Sequence, residues 1–243
     1  DVDFTHSVSL DSLRQVKSQE ELACIRRAME IGDEAFEYIL TYIRPGISEL
    51  DVAAALENCM RQKGSQRPSF DTIVASGKRG SLPHGTATEK LINVGEFVTM
   101  DYGAVYKGYH SDMTRTVCMG RADEKQRHVY STVLKAQELG VSLVQPGASG
   151  KEVDRLVRQQ IAEAGYGRYF GHGLGHSVGL EIHEEPRLSP SSTCEALAEN
   201  MLVTVEPGIY IPDWGGVRIE DTVVVKEGGC EILTHSPKEL IEL

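Results

Sequence analysis

The spacing of apolar residues near the start of the chain predicts a long helix. Leu22, Ile25, Met29 and Phe36 recur at intervals of three, four and seven residues. This spacing places them on one face of a helix. A Ser-Gln-Glu-Glu run at residues 18–21 has the pattern of a capping box, in which a serine and a glutamate satisfy the first free N–H groups. The helix is therefore expected to begin just after residue 18.

A Pro-Gly pair at residues 45–46 ends this helix and precedes a second one. Ser48 is a favourable N-cap residue, and Val52, Leu56 and Met60 follow at helical spacing. We expect the second helix to stop near a glycine four residues after the last of these.

The same signals recur about 101 residues later in the chain. A second Pro-Gly pair lies at residues 146–147, Ser149 follows it, and Val153 and Val157 take the equivalent apolar positions. The segment before the pair, roughly residues 122–144, occupies the place of the first helix. The chain is therefore expected to contain two similar halves.

Two pairs of apolar segments, each carrying an acidic residue, follow the helices of the two halves. Residues 97–101 are echoed by residues 202–206, and residues 111–117 are echoed by residues 219–225. A turn-prone segment that contains glycine separates the members of each pair. Each half is therefore predicted to form a β-hairpin.

The acids Asp101 and Asp112 lie symmetrically about the first predicted turn, and Glu206 and Glu220 lie symmetrically about the second. Acids that face each other across a hairpin have Cβ atoms about 4.5–5.5 Å apart. Like charges at that distance repel, and their burial costs more. A divalent cation removes both penalties, so the pattern indicates a metal site.

The predicted fold class is α+β, with helices covering one face of a mainly antiparallel sheet. We take residues 18–243 as a single domain with internal pseudo-twofold symmetry, and its halves as roughly residues 18–121 and 122–243. Such an axis lets the two hairpins direct their acids into one cavity.

Composition and charge exclude several classes of function. The net charge is −11, and no cluster of lysine and arginine stands out to neutralise phosphates, so nucleic acid is not an expected partner. The five cysteines are scattered without CxxC spacing, which predicts buried free thiols in a reducing compartment. Because there is no secretory signal and no apolar run of roughly 18 residues, we expect a soluble cytoplasmic protein without membrane contacts.

Four histidines lie in short segments bounded by glycine or proline: His84, His172, His176 and His183. Imidazole binds transition metals and transfers protons near neutral pH. A lone histidine is more often structural, but four histidines beside four acids in repeated positions indicate a functional cluster. The remaining histidines are predicted to be exposed or structural: His6, His110, His128 and His235.

At these positions the chain resembles the pita-bread metallopeptidases, and within them the Xaa-Pro peptidases (aminopeptidase P and prolidase). The resemblance runs from about residue 14 to the C-terminal strand. Its most specific motifs are MDYGA at residues 100–104, GYHSDMTRT at 108–116, the histidine-rich segment 171–186, TVEPG at 204–208 and GVRIEDT at 216–222. The resemblance implies the pita-bread fold and a dinuclear-metal peptidase that hydrolyses the Xaa-Pro bond through a metal-bridging water or hydroxide.

The resemblance also implies a set of metal ligands. Five residues would bind two divalent ions: Asp101, Asp112, His176, Glu206 and Glu220. Asp112 and Glu220 would bridge the ions, Asp101 would belong to one ion, and His176 and Glu206 would belong to the other. Four carboxylates and one imidazole favour Mn(II), with Co(II), Fe(II) and Zn(II) as alternatives.

The same resemblance implies roles for catalytic residues. Glu206 would carry a proton from the attacking water to the leaving nitrogen. His183 and His84 would stabilise the oxyanion or hold the scissile peptide, and His172 would relay protons or contact substrate. The position of Arg218, two residues before Glu220 on the same face of the strand, further predicts that it orients a ligand carboxylate. The expected partner is a peptide with proline at the second position, and the question of a homodimer stays open.

Two other functions stay open on the sequence alone. The chain has the length of a methionine aminopeptidase, which is the sister family, although the motifs around Asp101, Asp112 and Glu220 look like the Xaa-Pro group. Some relatives of the fold are non-catalytic peptide-binding modules, but they lack this set of acids. Residues 1–17 resemble the connection to an N-terminal domain, so we expect a truncated form or the catalytic domain of a longer protein.

Overall fold

The computed structural model describes residues 11–243, and over this range it contains five helices and twelve strands. The helices are α1 (Asp11–Gln15), α2 (Gln19–Tyr42), α3 (Glu49–Gln62), α4 (Glu124–Leu143) and α5 (Gly150–Glu163). The strands are β1 (Ile73–Ser76), β2 (Phe97–Tyr102), β3 (Val105–Tyr106), β4 (Tyr109–His110), β5 (Met113–Cys118), β6 (Gly175–Ser177), β7 (Glu184–Leu188), β8 (Leu202–Val205), β9 (Gly208–Ile211), β10 (Gly215–Arg218), β11 (Asp221–Lys226) and β12 (Gly229–Ile232). Short 3₁₀ helices cover Gly77–Ser81 and Gly167–Tyr169.

Side-chain caps set the starts of three of the four long helices. Ser18 Oγ accepts the Glu21 N–H at 3.2 Å, and the Glu21 carboxylate accepts the Ser18 N–H at 2.8 Å, so the predicted capping box begins α2. Ser48 begins α3 in the same way, and Asp123 begins α4. Ser149 is the N-cap residue of α5 as predicted, but its side chain makes no capping hydrogen bond.

Antiparallel pairing joins all the strands described. Two three-stranded sheets have the orders β1-β2-β5 and β12-β11-β8, and β3–β4, β6–β7 and β9–β10 form two-stranded ribbons. The two predicted hairpins are therefore present, with β3–β4 at the tip of the first and β9–β10 at the tip of the second. Lys107 and Gly108 connect β3 to β4 with φ angles of 50° and 85°, the positive values that a tight two-residue turn requires. The predicted α+β class is confirmed.

The predicted symmetric position of the acids about the first turn is wrong. Asp101 pairs with Thr114, and Asp112 lies two residues nearer the turn, in the break between β4 and β5. The ladder is interrupted at Gly103, where a Cβ would lie 1.9 Å from the Ser111 carbonyl oxygen. The two backbones approach each other here at a distance that only glycine allows. The register is the same on both sides of this break, because Asp101 pairs with Thr114 and Val105 pairs with His110. The acids are offset because the turn is centred between Lys107 and Gly108, whereas their midpoint lies between Tyr106 and Lys107.

The second hairpin keeps the predicted register. Val205 pairs with Asp221 across β8 and β11, so Glu206 and Glu220 are the next residues on the two facing segments. Regular pairing stops at this point on both strands, and the side chains of both acids lie in the interior.

Each pair of helices packs on the strands of its own half. Ile39 and Leu56 of α2 and α3 are fully buried with residues of β1, β2 and β5. Val133 and Val157 of α4 and α5 are fully buried with residues of β8 and β11. This arrangement agrees with a repeated architecture, while the exact limits of the two halves stay a prediction.

Two further expectations concern the thiols and the membrane. None of the five cysteines forms a disulfide within residues 11–243. Cys59 and Cys118 are buried as predicted, whereas the other three are only partly buried. Across the part of the chain that the structure describes, no helix is both long and apolar enough to span a membrane.

Candidate metal centre

Four acidic side chains meet where the two hairpins come together. Asp101 lies near the end of β2, whereas Asp112, Glu206 and Glu220 lie in the short breaks between β4 and β5, β8 and β9, and β10 and β11. The Glu220 N–H donates to the Thr114 carbonyl at 3.1 Å and so fastens the second hairpin to the first. The breaks in the ladders turn the acids out of the strands and into the space between the hairpins.

The distances within this cluster define two overlapping groups. Ligand atoms of Asp101, Asp112 and Glu220 lie within 4.8 Å of one another. His176 Nε2 lies 3.5 Å from Asp112 Oδ2 and 3.4 Å from Glu206 Oε1. Asp112 belongs to both groups. The fold therefore brings together all five residues that the sequence predicts as ligands, in two adjoining sets.

Two buried oxygens of the cluster have no protein donor. Asp101 Oδ1 and Glu220 Oε1 find no hydrogen-bond partner within residues 11–243. The second oxygen of each carboxylate is occupied, by Arg218 Nη2 at 2.6 Å and by Thr114 Oγ1 at 2.7 Å. A buried and unpaired carboxylate oxygen is costly. Carboxylate oxygens and one imidazole nitrogen are the donors that hard divalent cations bind, so the residues fit a metal site.

The electrostatics of the cluster also favour a metal site. Burial, with repulsion from neighbouring carboxylates, raises the pKa of Asp112 and of Glu220 well above the usual range. Burial also raises the pKa of Glu206. In the metal-free protein these carboxyl groups therefore retain protons that reduce the repulsion among them. A cation that binds here would have to displace these protons.

His176 is arranged as a neutral ligand. Its Nδ1 lies 3.1 Å from the Ser177 carbonyl oxygen, which can only accept, so Nδ1 carries the proton and Nε2 presents its lone pair to the acids. Burial, and then the neighbouring ring of His183, lower the pKa of His176 to about 3. The ring is therefore neutral across the physiological range.

A hydrogen-bonded chain runs from the acids to a second histidine. Arg218 donates to Asp101 Oδ2 at 2.6 Å and to the Tyr210 hydroxyl at 2.8 Å. The Tyr210 hydroxyl lies 2.8 Å from His172 Nε2, while His172 Nδ1 lies 2.7 Å from the Gly173 carbonyl oxygen. Nδ1 is therefore the protonated nitrogen, and the Tyr210 hydroxyl donates to Nε2. Burial lowers the pKa of His172 to about 4.

Tyr210 is the residue of this site that sequence reasoning missed. It lies on β9, four residues after Glu206, and no periodicity or motif distinguishes it from the core residues around it. Burial raises the pKa of its hydroxyl to about 12, so it stays protonated and can donate. Tyr210 is identified only by its contacts in the folded chain, where its hydroxyl lies beside Arg218 of β10 and beside His172.

A cavity of about 930 Å³ opens onto the cluster. Its polar wall includes His84, His172, His176, His183, Asp101, Asp112, Glu206 and Arg218, and its apolar wall includes Phe70, Ile73, Pro83, Ile182 and Pro190. Glu220 lies behind this surface and is 1% exposed. The ring centroids of His176 and His183 are 4.4 Å apart, and burial lowers the pKa of His183.

The remaining histidines lie elsewhere. His110 is buried outside the cavity wall, where its ring contacts Arg67 and the Gly179 carbonyl. His128 and His235 are exposed, and His6 is outside the described residues.

Comparison with known proteins agrees with this geometry. The model of metallopeptidase family M24 matches residues 23–227. The chain is 48% identical over 232 residues to a Xaa-Pro dipeptidase of Pyrococcus furiosus, covering 96% of this chain and 66% of that protein. Its fold matches a Xaa-Pro dipeptidase from Bacillus anthracis with a TM-score of 0.94 and 52% identity, covering 96% of this chain and 66% of that one.

An X-Pro aminopeptidase from Thermotoga maritima is similarly close, with a TM-score of 0.94, 44% identity and the same coverage of 96% and 66%. The helices and antiparallel strands described above are thus those of the pita-bread fold. The chain spans about two thirds of the length of these relatives.

The stabilisation that a divalent cation provides should grow with pH. Because the pKa values of Asp112, Glu206 and Glu220 are raised in the metal-free fold, these groups hold protons that the unfolded chain has lost above about pH 4.5. The free energy of unfolding of the metal-free protein should therefore fall as the pH rises above about 4.5. His176 is neutral with or without metal. It therefore does not contribute to the pH dependence of the stabilisation by the cation.

The measurement is Tm with excess Mn²⁺ and with EDTA at pH 5.5 and 7.5. We expect the gain in Tm from Mn²⁺ to be clearly larger at pH 7.5. An equal gain at both pH values would mean that the cation does not replace protons on buried carboxyls.

Replacing Arg218 with methionine should weaken metal binding. The change removes the donor that fixes Asp101 Oδ2, and loss of such an orienting contact typically lowers metal affinity about 10–100-fold. The measurement is the Kd for Mn²⁺ by competition with a chelator. Arg155→Met is the matched control, since Arg155 forms an exposed ion pair on α5. An unchanged Kd in R218M would show that Asp101 needs no such support.

Proposed function

The chain belongs to metallopeptidase family M24, and from this premise we propose that it hydrolyses the peptide bond between a first residue and proline. The observation that carries the proposal is the cluster of four acids, three of them buried, and His176 beside a cavity with an apolar wall. Relatives named as a Xaa-Pro dipeptidase and an X-Pro aminopeptidase support it. The proposed substrates are Xaa-Pro dipeptides and longer peptides that have proline at the second position.

Five residues would hold two divalent ions, for which we propose Mn(II): Asp101, Asp112, His176, Glu206 and Glu220. Asp112 contacts both groups of the cluster, which suits a bridging role, and Glu220 would be the second bridge. When bound there, the ions would supply a water-derived nucleophile at neutral pH and polarise the scissile carbonyl.

Glu206 is suited to move the proton that the reaction needs. Its place at the cavity wall would let its carboxylate take a proton from the attacking water and give it to the leaving nitrogen. The proline nitrogen of a tertiary amide has no hydrogen of its own, so it depends on such a donor to leave as an amine.

The histidines of the cavity would act on the substrate. His183 is neutral and partly exposed beside His176, so its ring N–H can donate to the carbonyl oxygen as negative charge develops. His84 lies on the same wall and would help to hold the scissile peptide. His172 is fixed by Tyr210 and would contact substrate or pass protons along that chain.

The first experiment compares substrates. An apolar wall that fits a pyrrolidine ring, with no demand for an N–H at the scissile nitrogen, should favour proline over alanine. We expect Xaa-Pro bonds to be cleaved at least about tenfold better in kcat/KM than matched Xaa-Ala bonds, or roughly 1.4 kcal/mol. The assay uses Xaa-Pro, Xaa-Pro-Yaa, Xaa-Ala-Yaa and Met-Ala-Yaa peptides with Mn²⁺. Release of Met from Met-Ala-Yaa with Xaa-Pro bonds left intact would assign the chain to the methionine aminopeptidases, and no hydrolysis of any peptide would indicate a binding module.

The second experiment removes one proposed donor. His183→Ala should lower kcat by about 100-fold or more, because one donor to the developing oxyanion is lost, while the metal content stays that of the wild type. His235→Ala is the control, since His235 is exposed and outside the cavity. A variant that loses its metal along with its activity would make His183 a ligand and overturn this assignment of roles.

A further inference from the structure

Lys17 is a buried cation that the proposed chemistry does not use. Its side chain is 2% exposed, and its Nζ lies 3.0 Å from Glu184 Oε2 and 3.0 Å from Ser177 Oγ. The backbone around it is fixed as well, because the Lys17 N–H donates to the Asn200 carbonyl at 2.9 Å and Val16 pairs with Met201 just before β8. The ammonium group therefore occupies one position behind the β6–β7 ribbon.

Both acceptors of Lys17 adjoin a histidine of the cavity. Ser177 follows His176 on β6, and Glu184 follows His183 at the start of β7. Ser177 and Glu184 are paired residues of the two strands, next to the point where the register shifts. Lys17 thus binds the two strands together at the step that sets the position of one histidine ring relative to the other.

The Glu184 carboxylate also organises the loop that carries His183. Its Oε1 accepts the Glu181 N–H at 3.1 Å. A Cβ at position 179 would lie 2.5 Å from Glu184 Oε2, so the glycine there leaves room for the carboxylate to sit inside the loop. The Lys17 ammonium contacts Oε2 of the same carboxylate. The conformation of residues 179–183 therefore depends on an ion pair with the segment before α2.

Stability alone is a weak reason for such a pair. Two buried charges lose their hydration, and an apolar replacement of both is often as stable or more so. What an ammonium adds is direction, because it can fix two oxygens on two strands at once. The segment up to residue 17 resembles a connection between domains in sequence, yet its last residue contacts Ser177 and Glu184 behind the wall of the site.

We propose that Lys17 is a positioning residue, which sets the ring of His183 for catalysis through its contacts with Glu184 and Ser177. The role rests on the proposed peptidase function. It predicts that removal of the ammonium displaces the His183 ring and lowers turnover, although Lys17 itself lies behind the cavity wall.

The test compares Lys17→Met with Arg14→Met. Arg14 is 46% exposed, and its guanidinium lies 3.9 Å from the same Glu184 carboxylate, so both variants lose one positive charge beside one acid. We expect K17M to lose about tenfold or more in kcat on an Xaa-Pro substrate with little change in KM, since small displacements of a catalytic group are costly. R14M should keep wild-type kcat. Equal effects of the two variants would overturn the proposal.

A double variant separates positioning from general destabilisation. If Lys17 acts through His183, adding K17M to His183→Ala should cost no more than about twofold in kcat. A full tenfold further loss in that background would mean that Lys17 acts by another route. Should K17M fail to fold, Lys17→Arg and Glu184→Gln replace it, with the same expected dependence on His183.

A readout without activity keeps this test distinct from that of the proposed function. In Zn²⁺-loaded protein labelled with ¹⁵N-histidine, the His183 ring signals, assigned by their loss in His183→Ala, should shift in K17M and stay unchanged in R14M. Wild-type protein without Xaa-Pro hydrolysis would overturn the proposed function, and the ring signals would still decide the role of Lys17. Unshifted His183 signals in K17M would overturn the positioning role.

Discussion

Repulsion among four closely placed carboxylates, three of them buried, is the constraint on which this site depends. Asp101, Asp112, Glu206 and Glu220 together carry a charge of −4 when ionised, and Arg218 is the cation that contacts them directly. One positive charge leaves most of that repulsion in place, as the raised pKa values of Asp112 and Glu220 indicate. Two divalent ions would bring a charge of +4, which matches the acids and gives the two free buried oxygens their partners. Bound cations would thus stabilise the arrangement at neutral pH.

The scaffold holds the acids together against this repulsion by joining the two hairpins through hydroxyl groups. Thr114 donates to Glu220, Thr116 Oγ1 donates to the Arg218 carbonyl at 2.9 Å, and Thr222 Oγ1 donates to the Asp112 carbonyl at 2.9 Å. Each threonine is neutral, so it links the strands without adding charge to a site already crowded with it. The separation of the acids is therefore set by strands packed under helices.

The sequence predicts the local elements and the composition of the site well, because both depend on residues that lie close together in the sequence. Capping boxes and apolar spacing locate α2 and α3, and the repeat reveals the four acids. The contacts of Tyr210 and of Lys17 could not be predicted. Each depends on a partner distant in sequence, and nothing near Lys17 distinguishes a buried ion pair from an exposed charge before a helix. Periodicity reports which side of an element faces the core, but it does not report which two buried groups meet there.

The most direct test of this account is the number and position of metal ions in a crystal of the protein grown with saturating Mn²⁺, measured from anomalous scattering at the manganese edge. The account predicts two peaks in each chain, both in contact with the carboxylates of Asp112 and Glu220, with Asp101 beside one peak and His176 and Glu206 beside the other. A single peak under saturating Mn²⁺, or two peaks that share no carboxylate, would contradict the claim that paired cations offset the repulsion of the four acids.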